Sequence, residues 1–123
     1  MKKPLACSIL LMAILASPFA SVGQDYKAMV KLSPKPKYLC AMKHYHLPGI
    51  AENTSDVTLV KVRIEGKVYD KDGTLLGTAT DELWEIGPKQ AADFDLEFVE
   101  VKGKAVARVT DYIVEVVHSE PKR

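Results

Sequence analysis

Cysteine is scarce in this chain: Cys7 and Cys40 are the only two among 123 residues. Cys7 falls in an N-terminal segment that reads as a removable leader, so Cys40 is expected to stand alone and no internal disulfide can support the fold. A single cysteine in an exported protein is buried, reactive, a metal ligand or paired between chains. Excess charge of one sign is also lacking. Lys and Arg number 17 against 16 for Asp and Glu, a net charge of +1. Such a chain has no electrostatic footprint for nucleic acid or anionic lipid. There are no repeats and no low-complexity tract. Beyond the leader, no window of 11 residues carries apolar residues at i, i+3, i+4 and i+7, which argues against an amphipathic helix. Catalytic signatures are missing as well: no Gly-x-Ser-x-Gly, no phosphate loop, and no Ser/His/Asp set in a workable frame. The expectation is a protein that is not an enzyme, with hydrolase chemistry unsupported.

What is present begins with the leader. Lys2 and Lys3 precede an apolar run from Leu5 to Ala16, and Ser17-Pro18-Phe19-Ala20-Ser21-Val22-Gly23 follows. A basic start, a short apolar stretch and small residues at the end make a secretory signal peptide. The run is shorter than the about 20 residues that a membrane span needs. Cleavage after Gly23 places Ser21 and Gly23 at the small-residue positions, whereas cleavage after Ala20 puts Pro18 at the outer one. Cys7 lies at the start of the apolar run rather than after it, which argues against lipidation. The expected organisation is a signal peptide at 1–23, an extended proline-containing lead-in at 24–37 and one β-sandwich domain at 38–123. The expected location is secreted or periplasmic, with no transmembrane span after processing.

The strands are read from period-two alternation. Val60, Val62, Ile64 and Val68 alternate with Lys61, Arg63, Glu65 and Lys67 in the longest one, Val57 to Tyr69. Gly66 interrupts its apolar face and suggests a bulge or a close approach, making room for Trp84 or Tyr112. Asp70-Lys71-Asp72-Gly73 is a hairpin turn and not a calcium loop, because no Glu closes a 12-residue frame. Leu75 to Ile86 forms the next strand, broken by Gly87-Pro88. Phe94, Leu96 and Phe98 mark another, with Asp93, Asp95 and Glu97 on its solvated face, as Glu82 and Glu85 are on theirs. After a turn at Lys102-Gly103-Lys104, a last strand from about Val106 to His118 reads as covered on both sides, and His118 has no visible partner. Tyr38 to Leu47 reads as extended and Pro48-Gly49 closes it. Trp84, Tyr69 and Tyr112 are expected in core or half-core positions rather than on a ligand surface. Asn53-Thr54-Ser55 matches a glycosylation sequon but reads as a turn. Strands joined by short turns, with no helix to cover a face, bury their inner faces most simply as an all-β antiparallel sandwich.

Gly49-Ile50-Ala51-Glu52-Asn53-Thr54-Ser55, the strand end Val68-Tyr69-Asp70-Lys71-Asp72-Gly73-Thr74-Leu75-Leu76-Gly77, Ile86-Gly87-Pro88 and a strand opening at Phe94 resemble the FxLYD family of bacterial exported domains. The resemblance covers roughly residues 40–117. It departs at Gly66, where the family has Phe, at Val68 in place of Leu, and at the inverted Gly87-Pro88 turn. It implies an immunoglobulin-like sandwich with no enzymatic role and carries over no catalytic residue.

One cluster combines ligand chemistry: Cys40-Ala41-Met42-Lys43-His44-Tyr45-His46. On a strand, Cys40, Met42, His44 and His46 share a face. Thiolate, thioether and imidazole suit copper. A straight strand is too long for one ion to reach all four, so a site would draw on Met42, His44 and His46, with Cys40 as the further candidate. The alternative is an ordinary strand with a wet histidine end and Cys40 and Met42 in the core. Two functions follow: a non-enzymatic module contacting another envelope or extracellular protein or the wall, needing no cofactor, or an envelope protein that handles copper.

Overall fold

The computed structural model describes residues 25–123, and the expected signal peptide at 1–23 lies outside the described residues. Seven strands form among the described residues: β1 Val30–Pro34, β2 Tyr38–Leu39, β3 His44–Asn53, β4 Leu59–Tyr69, β5 Leu75–Ile86, β6 Ala91–Lys102 and β7 Asp111–Pro121. A short 3-10 helix at Gly103–Arg108 joins the last two. All pairings are antiparallel. One sheet has β3 at its centre, with β6 on one edge and β1 and β2 sharing the other. The second sheet runs β5-β4-β7. The described residues therefore form the all-β sandwich that the alternation implies.

The inner faces supply the core. Tyr45 and Leu47 from β3, Phe94, Leu96 and Phe98 from β6, and Leu59, Val62, Ile64 and Val68 from β4 are all buried. Tyr45 and Phe98 meet edge to face, with ring centroids 5.8 Å apart. The stretch at 24–37 is more than a lead-in. Val30 is buried, Met29 and Leu32 pack on the core, and Val30–Pro34 pairs along Gly49–Asn53. Pro48-Gly49 does not end a strand, because β3 runs through it to Asn53. The Pro48 carbonyl accepts the Lys35 amide at 2.9 Å, and Gly49 admits the Phe94 ring and the Ser33 carbonyl.

Turn chemistry follows the sequence at the β4–β5 hairpin. Asp70 Oδ1 accepts the Asp72 and Thr74 amides at 2.9 and 3.0 Å, and Gly73 has a φ of 80°. The Thr74 amide is the main reason that the Asp70 carboxyl lies below its ordinary pKa, aided by the Asp72 amide and Arg108 against the opposing effect of burial. Asn53, with no exposed surface, clasps one end of the sandwich. Its amide donates to the carbonyls of Val57, Ile86 and Gly87, and its Oδ1 accepts from Ser55. Asn53 is thus a buried structural residue.

Several expectations are corrected. Gly66 sits in register opposite Ala79 and Val114, so it marks no bulge. Register shifts in β4 fall instead between Val60 and Ile64 against β7, where Lys61 has a φ of 52°, and at Val68–Tyr69 against β5. A Cβ on Gly66 would stand 2.7 Å from Leu96 Cδ1 and 3.0 Å from Phe98 Cζ, so it makes room for the facing sheet and not for Trp84 or Tyr112. Trp84 is 72% exposed and Tyr112 is 42% exposed, because β5 turns Trp84 to the outer face and Tyr112 lies at the end of an edge strand. The last strand starts at Asp111, after the 3-10 helix, and is covered on one side only: none of its residues is fully buried. His118 does have a partner, Glu120 at 2.7 Å.

The Gly66 contact yields a direct expectation. Gly66→Ala should overpack the interface between sheets and cost about 1–3 kcal/mol, read as a lower urea midpoint with the slope unchanged. An unchanged or raised midpoint would mean that the two sheets separate freely at this point.

Candidate metal centre

The run from Cys40 to His46 is not one strand. A tight turn spans Cys40–Lys43: the Lys43 amide donates to the Cys40 carbonyl at 2.8 Å, and Lys43 takes a φ of 67°. This turn folds β2 back on β3, pairing Tyr38 with His46 and Leu39 with Tyr45. Met42 lies at the turn, 71% exposed. It does not enter the core.

The period-two rule now acts on three strands at once. On β3, Tyr45 and Leu47 point inward, which turns His44 and His46 to the outer face. In the hairpin, Tyr38 and Cys40 lie beside them. On β6, Glu97 opposes His46 and Asp95 opposes Pro48, with Leu96 and Phe98 inward. The outer face of one sheet therefore gathers a thiol, two imidazoles, two carboxylates and a phenol.

His46 is the centre of this group and is only 7% exposed. The Tyr38 ring stacks on its own ring, with centroids 4.5 Å apart and planes 23° from parallel. Asp95 Oδ1 accepts from His46 Nδ1 at 3.0 Å. The other Asp95 oxygen accepts from Tyr38 Oη, the chief reason that this phenol is pushed up to about 12. Asp95 is itself fixed by its amide, which donates to Asp81 Oδ2 on β5 at 2.9 Å. With Nδ1 committed to Asp95, Nε2 points the other way. It is fully enclosed and has no hydrogen-bond partner among the described residues.

The atoms around Nε2 are of the types that can ligate a metal. Ligand atoms of Cys40, His46 and Glu97 all lie within 4.8 Å of one another. The nearest Glu97 oxygen is 3.7 Å from His46 Nε2, and the same oxygen accepts from His44 Nδ1 at 2.9 Å. The two imidazoles thus do not close on one point. Glu97 stands between them, and His44 orients the carboxylate. Of the four residues expected from sequence, the structure brings Cys40 and His46 together, sets His44 against the Glu97 carboxylate and leaves Met42 exposed in the turn. It adds Glu97 as a donor and Asp95 and Tyr38 as supports.

The electrostatics suit a thiolate. Burial opposes ionisation of Cys40, but the amides of His44 and Met42 and the adjacent His46 ring outweigh it and bring the thiol down to about 7. For His46, burial alone would lower the pKa, while Asp95 and then Cys40 raise it. Sulfur and imidazole therefore compete for a proton in a place where a cation would satisfy both. A separate cleft of about 290 Å³, lined by Lys35, Tyr45, Leu47, Val109 and Tyr112, opens between β3 and the segment leading into β7, and these donors do not line it.

Comparison with known proteins adds the fold. No family model matches the chain, and no curated protein matches it. Among solved structures, a DUF1425 family member from Shewanella sp. pv-4 superposes with a TM-score of 0.51 at 15% identity, covering 72% of this chain and 77% of that one. At that identity the likeness concerns the β-sandwich alone.

The Cys40 environment predicts its reactivity. Alkylation by iodoacetamide should follow a titration centred near pH 7, against about 8.5 for an ordinary thiol. His46→Ala should move that midpoint upward. A wild-type midpoint at or above about 8.5 would contradict the arrangement.

Proposed function

We propose that this chain is a non-enzymatic exported β-sandwich module that handles a metal ion through Cys40, His46 and Glu97. The observation that carries the reading is the enclosed Nε2 of His46, held toward Cys40 and Glu97 by an Asp95 hydrogen bond on the opposite nitrogen. Ligating histidines are oriented in this way: a carboxylate on the second nitrogen fixes tautomer and ring, and raises ligand basicity. An enclosed polar atom without a partner costs free energy unless something satisfies it. Copper is included in this reading, as the thiolate and imidazole permit. The leader at 1–23 supports an envelope or extracellular location, and the FxLYD resemblance goes with the non-enzymatic part of the proposal.

A second reading concerns a partner. The module would also dock on another envelope or extracellular protein, a proposal supported by Trp84, which stands 72% exposed on the outer face of β5. Photo-crosslinking from position 84 in intact cells, with position 82 as control, separates a specific partner band from none.

The metal reading is tested on protein purified without a histidine tag. Titration with zinc and with copper should show one equivalent bound per chain by at least one of them. A Cys40→Ala/His46→Ala double variant, its sheet content checked by circular dichroism, should bind neither. Folded wild-type protein that binds neither ion at micromolar concentration would end this reading.

A further inference from the structure

We infer that the cluster is a three-ligand centre for a zinc-class divalent ion, with Cys40, His46 and Glu97 as the protein donors and the fourth coordination position given to an exogenous ligand. This inference rests on the metal reading above and narrows it from any soft or borderline ion to one class.

The donor set decides between metals. Copper(I) favours soft sulfur, and the copper reading of the sequence leaned on the Met42 thioether. That sulfur belongs to a residue 71% exposed in the Cys40–Lys43 turn. In its place stands Glu97, a hard carboxylate donor. One thiolate, one imidazole and one carboxylate form a mixed set that zinc accepts, whereas calcium and magnesium require oxygen throughout.

The spacing fits as well. Bonds of about 2.0–2.3 Å in a tetrahedron separate neighbouring donor atoms by about 3.4–3.6 Å. His46 Nε2 and the Glu97 oxygen already stand 3.7 Å apart, and all three donor atoms fall within 4.8 Å. Closing on an ion requires only a side-chain adjustment at Cys40 and Glu97, and neither residue is fully buried. His46, the enclosed member, need not move.

Two outer contacts complete the design. Asp95 holds His46 Nδ1 at 3.0 Å, and His44 holds the Glu97 carboxylate at 2.9 Å. Histidine 44 thus acts as a positioning residue and not as a ligand.

Among the His, Cys, Asp and Glu side chains of the described residues three donors converge here, and a four-coordinate ion takes one more. Closed structural zinc sites use four, while sites that act on or exchange a ligand use three. The side chain of Glu97 is 46% exposed, so the centre borders solvent on that side. The fourth ligand enters from there, as a small anion, a small thiol or imidazole, or a donor atom from a docked protein.

Cobalt(II), a spectroscopic stand-in for zinc, tests each part. Added to untagged wild-type protein, it should give the intense visible bands of a four-coordinate ion together with a sulfur-to-cobalt charge-transfer band, and one equivalent of zinc should bleach both. Cys40→Ser should lose the charge-transfer band. Met42→Leu should match wild type. His44→Ala and Asp95→Asn should weaken binding about 10–100-fold, as outer contacts do. Azide or imidazole should shift the visible bands by taking the fourth position. Copper(I) binding that falls with Met42→Leu and ignores Glu97→Gln would overturn the inference while leaving a metal-handling function. Weak six-coordinate cobalt bands, or bands that azide and imidazole leave unchanged, would overturn the geometry or the exchangeable position. Failure of every ion to bind would end the metal reading itself.

Discussion

The register of β3 against β6 is the constraint on which core and candidate site both depend. Tyr45 faces Phe98 and Leu47 faces Leu96, and these four side chains are buried in the sandwich. The intervening pair, His46 opposite Glu97, is thereby turned to the other face. Side chains alternate with a period of two, so one slip in register would exchange the faces completely. Burial of the apolar set penalises such a slip heavily. The same energy that makes the core holds an imidazole beside a carboxylate, and that pair needs no loop to place it.

The remaining geometry comes from local strain and cross-links. The left-handed conformation of Lys43 lets the chain reverse between Cys40 and His44, and this returns the thiol to the histidine that sequence places six residues away. Asp95 then connects Tyr38, His46 and, through its amide, Asp81 of the other sheet. Rigid strands and a shared carboxylate pre-orient the donors, which is what a binding site gains from being built on a sheet.

Much of the fold was legible in the residues, and the reasons are physical. Alternation in β4, β5 and β6 and the Asp70–Gly73 turn are local signals, and the structure follows them. Val30–Pro34 was read as a lead-in because its apolar residues, Val30 and Leu32, are few and prolines surround them. It is an edge strand, where a missing amide is tolerated. Trp84 misled in the opposite way: aromatic character suggested the core, but parity along β5 puts it outside. At the site, Cys40 and His46 are visible as ligand types, whereas Met42 and His44 join them only if the run is one straight strand. Glu97 and Asp95 were visible only as solvated acids on an alternating strand. Their role depends on a pairing 51 residues along the chain from His46 in the case of Glu97, and no local pattern encodes that pairing. Lys43, a non-glycine residue with positive φ, gave no warning of the turn.

The central claim is that an ion sits between three named atoms, and the most direct measurement of it is anomalous diffraction. Crystals of the untagged protein soaked in zinc, recorded on either side of the zinc absorption edge, should show one dominant peak within about 2.0–2.3 Å of Cys40 Sγ, His46 Nε2 and a Glu97 oxygen, with His46 Nδ1 still bonded to Asp95. A dominant peak bound by Met42 or His44 instead, or no peak at this cluster at full soak, would contradict the account.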